Sequence, residues 1–181
     1  MFHSDTEDLI KLWTSLRSGP ESRAGLPSRA SLHPEALGPR LTRVFLADRS
    51  QDEADARLRL AGDWLEAFHH RPLTGVALSS LWRARSHTMV AAAMRQAVRE
   101  ARPVVIVAAA GAANAPIEVT LVPFQGGGQR RELMLGLYAP MATLTLPTGV
   151  AHQLAARVFT AVGEAGRPRL ALASLDGRRI A

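Results

Sequence analysis

The 181-residue chain has no cysteine, one tyrosine (Tyr138) and one lysine (Lys11). Without thiols it has no disulfide framework, thiolate nucleophile or cysteine-ligated metal. Long hydrophobic runs are missing too. The longest, Val104 to Ala110, is strand-sized and far short of a membrane span. The opening MFHSDTEDL is acidic and polar, unlike a secretory signal. A soluble, cytoplasmic protein is the expectation. The sequence contains no G-x-x-x-x-G-K-[ST] phosphate loop, no G-x-S-x-G elbow and no H-E-x-x-H pair. Gly126-Gly127-Gly128 leads into Gln129-Arg130-Arg131 between two strand patterns, so it reads as a hairpin loop. The carboxylates of Asp52, Glu53 and Asp55 crowd one turn and are not paired on apolar faces. No catalytic residue and no metal ligand set is therefore assigned, and a non-enzyme is expected.

What the chain does have is apolar content, at 47%, enough to bury a substantial core. Its net charge of +6 is carried almost wholly by arginine. Arg83, Arg85, Arg95, Arg99 and Arg102 cluster with only Glu100 opposing them. Such segregation suits a solvated helix face or, as lesser alternatives, protein partners or nucleic acid.

The periodicity predicts a helix from Ser4 to Arg17, with Ser4 and Glu7 at capping-box spacing and a stripe of Leu9, Leu12, Trp13 and Leu16. Gly19-Pro20 ends it, and the stretch to Pro39 reads as an irregular connection. Arg43 to Asp48 and Arg57 to Ala61 form a predicted hairpin. The pattern changes period at Gly62, where Trp64, Leu65 and Phe68 fall at helical spacing before Pro72 and Gly75. A short helix over Val76 to Trp82 and a long one over Ser86 to Ala101 follow. Three strands come next, around Val104 to Ala109, Ile117 to Leu121 and Leu133 to Tyr138. The last module is predicted as a helix from Thr148 to Val162 and a strand from Arg169 to Ala173. The chain thus divides into residues 1–40 (helix and connection), 41–140 (core) and 141–181 (helix–strand extension). The fold class is α+β: a five-stranded antiparallel sheet with helices on one face, plus the N-terminal helix and the extension.

The order of elements, together with RLAG-x-x-L-E-x-F-x-x-R-P-L-T-G, resembles a PAS domain, and in particular a stand-alone PAS-type family found mainly in alphaproteobacteria. The matching positions are Arg59, Leu60, Ala61, Gly62, Phe68, Leu73, Thr74 and Gly75. Leu26-Pro27-Ser28-Arg29 and Asp176-Gly177-Arg178-Arg179 are similar to segments that family carries outside its core. The chain departs from the family at His69-His70, where a glycine often follows the phenylalanine. The resemblance implies a signalling module working through protein contacts, as a homodimer or an adaptor for a regulatory protein. It also implies a space between short helices and sheet that either holds a small molecule or is simply core. Lacking cysteine, the chain is excluded from the thiol-linked flavin photochemistry of light-sensing relatives.

Trp64, Phe68, Trp82 and Met89 are the candidate pocket residues for an apolar or flat ligand; the alternative is ordinary core. No particular cofactor follows. His69 and His70, with His87, are the one histidine group to weigh as a metal or haem site. Adjacent helical residues point ~100° apart, however, and imidazoles at a helix C-terminus have free carbonyls to meet. Leu9, Leu12, Trp13 and Leu16 either form a dimer interface or pack on the chain's own sheet.

Overall fold

The computed structural model describes residues 1–50, 55–111, 114–126, 131–141 and 149–165. Helix α1 (Ser4–Arg17) follows the predicted span. Its cap differs: the His3 imidazole, not Ser4, accepts from the Asp5 N–H at 3.1 Å. The His3 backbone N–H in turn donates to the Glu118 carboxylate at 3.0 Å. A buried anion therefore sits at the positive end of α1, where the helix dipole favours it. From Arg29 to Arg43 the chain makes 3-10 turns, broken at Gly38, where φ is +51°.

Six strands form one sheet: β1 (Val44–Ser50), β2 (Arg57–Ala61), β3 (Val104–Ala110), β4 (Ala115–Gln125), β5 (Arg131–Pro140) and β6 (Leu154–Ala161). Their order is β2-β1-β5-β4-β3-β6, with every neighbour antiparallel. The two halves of the chain meet where β1 pairs β5, for example Phe45 opposite Gly136. Helices α2 (Asp63–His69) and α3 (His87–Glu100) and the 3-10 turn Leu78–Leu81 lie between the hairpin and the last four strands in sequence.

The sixth strand corrects the predicted fold. Leu154–Ala161 is a strand on the free edge of β3, not the middle of a helix. The expected helix rested on Ala151, Leu154, Ala155, Val158 and Val162 at helical spacing. The decisive factor is tertiary: β3 is apolar on both faces and has a second edge to fill, and Val158, Phe159 and Thr160 suit a pleated surface. A bulge between Val107 and Ala108 adjusts the register. The proposed strand Arg169 to Ala173, the Gly127-Gly128 turn and the motif at Asp176 lie outside the described residues.

Helices cover both faces of the sheet. Against the inner face, α2, the 3-10 turns and α3 bury Leu65, Phe68, Leu78, Leu81, Trp82, Val90 and Met94 over Phe45, Ile106, Val119, Met134 and Tyr138. Against the outer face, α1 and the 26–37 segment bury Leu9, Trp13, Leu26, Leu32 and Leu37 over Val44, Leu46, Val122, Phe124, Leu135 and Leu137. This two-sided burial explains why β1, β3 and β5 read as nearly continuous apolar runs. Each large side chain so buried contributes roughly 1.5–3 kcal/mol.

Candidate functional site

The corner at Gly62 is built on a close backbone approach. A Cβ on Gly62 would lie 2.2 Å from the Thr42 carbonyl oxygen, so only glycine fits. The chain then turns into α2, whose C-terminus is His70 in the left-handed region at φ 49°. Gly75, at φ +79°, brings the chain back to β2, where its N–H meets the Leu58 carbonyl at 2.7 Å. The strand-to-helix corner thus projects α2 over the sheet and anchors its far end on the strand it left.

The space under α2 is filled by rings. Trp64 and Phe68 stack at 5.2 Å between centroids. Both meet Tyr138 edge-on, at 6.4 and 6.0 Å. Phe45 also meets Tyr138 edge-on, at 6.1 Å. The Phe45 ring lies on the backbone of Gly136 so closely that a Cβ there would be 2.0 Å from it. Of the four candidate pocket residues, Trp64 and Phe68 come together and Trp82 is buried in the same cluster, whereas Met89 is half-exposed on α3 and outside it. Sequence reasoning missed Phe45, Tyr138 and His152. Tyr138 was within reach, since it shares the inward parity of Met134 and Gly136. His152 was hidden by the helix assigned over it.

The two histidines diverge. His70 is exposed, and His69 is 2% exposed. Nδ1 of His69 lies 2.7 Å from the His152 carbonyl oxygen, so Nδ1 carries the proton. Nε2 then accepts from the Tyr138 hydroxyl at 3.2 Å. The carbonyl it meets belongs to the approach to β6 and not to the C-terminus of α2, whose free carbonyls are the expected partners. Burial pushes His69 down to about 4; the bond to the His152 carbonyl opposes this, and the electrostatic influence of Arg71 and, last, of the His152 side chain adds to it. Burial also pushes the Tyr138 hydroxyl well above its ordinary value. Both ring nitrogens of His69 are engaged, while His87 Nε2 donates to the Trp82 carbonyl at 3.1 Å. Among the described residues, no three His, Asp or Glu side chains are grouped to hold a metal.

On the outer face, α1 divides its stripe. Leu9 and Trp13 are buried on the chain's own sheet, and Trp13 Nε1 donates to the Pro123 carbonyl at 2.7 Å. Leu12 and Leu16 stay half-buried. Asp5 on the same helix is held by Arg43 at 2.8 Å and Arg40 at 3.4 Å. Burial would raise its carboxyl, but hydrogen bonds and charge from Arg43, with Arg40 and His3, hold it below the ordinary carboxylate range.

The arginine-rich segment is partly committed to the fold. Arg83 and Arg102 donate to the carbonyls of Gly111 and Gly163, and Arg99 and Arg102 pair with Glu100. Arg85 and Arg95 are exposed. No helix among the described residues is long and apolar enough to cross a membrane.

Two solved structures are similar in shape at low identity. One is the Rhodobacter sphaeroides LOV protein, at 14% identity, covering 80% of this chain and 71% of that one, with a TM-score of 0.41. The other is a fungal LOV domain photoreceptor, at 18% identity, covering 75% and 94%, with a TM-score of 0.42. No match is found among curated proteins. The PAS domain family matches residues 1–139, well over half the chain and including the hairpin, the helical wall and the last strands of the core. The chain therefore belongs to the PAS domain family.

Proposed function

We propose that this PAS domain is a non-enzymatic, cytoplasmic signalling module that acts through protein contacts, as a homodimer or on a regulatory partner. One observation carries this reading: the chain's own rings occupy the space between helical wall and sheet, with Phe45 seated on Gly136 and with Phe45, Trp64 and Phe68 each meeting Tyr138. The half-buried Leu12 and Leu16 on α1 supply apolar surface for a second copy. Sedimentation equilibrium tests this. A dimer that Leu12→Asp with Leu16→Asp converts to a folded monomer is expected. A wild-type protein that stays monomeric at high concentration and engages no regulator would sink the proposal.

A second reading, a small-molecule sensor at Trp64, Phe68, Trp82 and Met89, rests on a different observation. The Trp82 indole N–H is buried and has no acceptor among the described residues. Such a group costs ~1–3 kcal/mol unless an acceptor reaches it. An acceptor on a flat ligand would satisfy it. Mass released from the purified protein on denaturation would support this reading, and its absence would count against it.

A further inference from the structure

A cleft of about 230 Å3 opens at the far end of the β1–β2 hairpin, lined by residues of β1, the approach to β2, the 3-10 turn and α3. It is distinct from the aromatic cluster: none of Trp64, Phe68, Trp82 and Met89 lines it. Its apolar side is Ala56, Val90, Ala91 and Met94, and its polar side is Arg49, Asp55, Ser79 and His87. The volume falls below the ~300 Å3 at which pockets for drug-sized molecules begin.

The charges in the cleft are unevenly answered. Arg49 is paired with Glu132, its Nε and Nη2 both donating to one carboxylate oxygen, at 3.0 and 2.6 Å. Asp55 differs. Its carboxylate accepts from the Ala56 N–H at 2.8 Å and the Ser79 N–H at 3.1 Å, but meets no cation within ion-pair distance among the described residues. Those two amides fix the carboxylate in place without neutralising it. His87 donates Nε2–H to Trp82, which leaves Nδ1 as an acceptor. The cleft therefore combines a positioned carboxylate, a further acceptor and a hydroxyl with an apolar wall.

We infer that this cleft binds a small organic cation: an ammonium group at Asp55, with a short apolar body against Val90, Ala91 and Met94. A carboxylate ligand would face Asp55, and among the described residues of the cleft the one arginine, Arg49, is already paired with Glu132; a purely apolar ligand would leave Asp55 desolvated. The inference does not draw on the protein-contact reading, since none of Leu9, Leu12, Trp13 and Leu16 lines the cleft.

The test uses n-butylammonium as the probe, with butyrate and n-butanol as matched controls, and follows the Met94 methyl signal by NMR. Butylammonium is expected to give a saturable shift, and the two controls none. Asp55→Asn and, separately, Ala91→Phe, which fills the cleft from a half-exposed helical position, are each expected to weaken binding at least tenfold. The second variant leaves the Asp55 bonds intact, so the test does not depend on Asp55→Asn folding. No saturable shift with butylammonium, equal binding of butyrate, or undiminished binding by Ala91→Phe would overturn the inference.

Discussion

Phe45 and Gly136 face each other across β1 and β5, and the phenylalanine ring takes the volume that a side chain at 136 would need. This pair joins the two sequence halves of the sheet and closes the floor of the domain. Gly136→Ala would place a methyl into the ring and is expected to cost ~1–3 kcal/mol by overpacking. Phe45→Ala is expected to cost ~3–5 kcal/mol through lost burial and a cavity. Urea unfolding of both single variants and the double variant checks the relationship. In the double variant the alanine at 136 no longer clashes, so its effect should shrink; additive costs would mean that the ring and the glycine do not share the space.

His69 gives the protein an acid-sensitive element. The folded imidazole sits at about 4, against 6.5 when free, so between these values the unfolded chain binds more protons. Stability from this group is complete above pH 6.5 and is lost as pH falls toward 4. At ~1.4 kcal/mol per pKa unit, the full loss is roughly 3 kcal/mol. Urea unfolding across pH 7 to 4 should show this slope, and His69→Gln should flatten it while lowering stability at pH 7. An equal slope in the variant would place the sensitivity elsewhere.

The Asp5 pairs act through a carboxylate of lowered pKa, so their contribution is present above its unfolded value of 3.8 and lost as pH falls through the lower folded value. Asp5→Asn is expected to weaken the docking of α1 at pH 7 and to make little difference in strong acid. Amide hydrogen exchange over α1 reports it. Trp13→Phe, which removes the bond to Pro123 while keeping a ring, should cost ~1 kcal/mol.

Strand β6 covers the outer edge of β3, and its own approach is tied to the helical wall. His152 N–H donates to the Phe68 carbonyl, Arg83 N–H to the Leu154 carbonyl, and Ala156 N–H to Ser86 Oγ. A chain ending after Met141 would expose the edge of β3 and leave His69 Nδ1 without its carbonyl. It is expected to lose stability and aggregate through that edge. Light scattering and thermal unfolding of the truncated chain check this; an equally stable, monodisperse product would show that β6 is dispensable.

These elements mark how far the sequence could be read. Helices α1 and α3 were legible from their helical period, and the first five strands from short alternating or continuous apolar runs. The corner was legible in Gly62 and Gly75, and the structure supplies the reasons: a carbonyl 2.2 Å from a would-be Cβ, and a left-handed turn. β6 was not legible because its alanines and leucine fit helical spacing, and only the open edge of β3 makes it a strand. The cap at His3 was hidden for a similar reason, since the imidazole competes with Ser4 only once Glu118 holds the His3 backbone. The stripe Leu9, Leu12, Trp13 and Leu16 shows the limit most clearly. Period alone identifies an apolar face, whereas its division into Leu9 and Trp13 on the sheet and Leu12 and Leu16 at half-exposure depends on where the helix docks.

Native mass spectrometry of the purified protein, with an absorbance spectrum of the same sample, tests the protein-contact reading most directly. A mass of two chains with no tightly held addition and no visible absorbance is the expected result. A monomer carrying extra mass that is released on denaturation, or a visible absorption band, would contradict it and make Trp82 and its neighbours a ligand site.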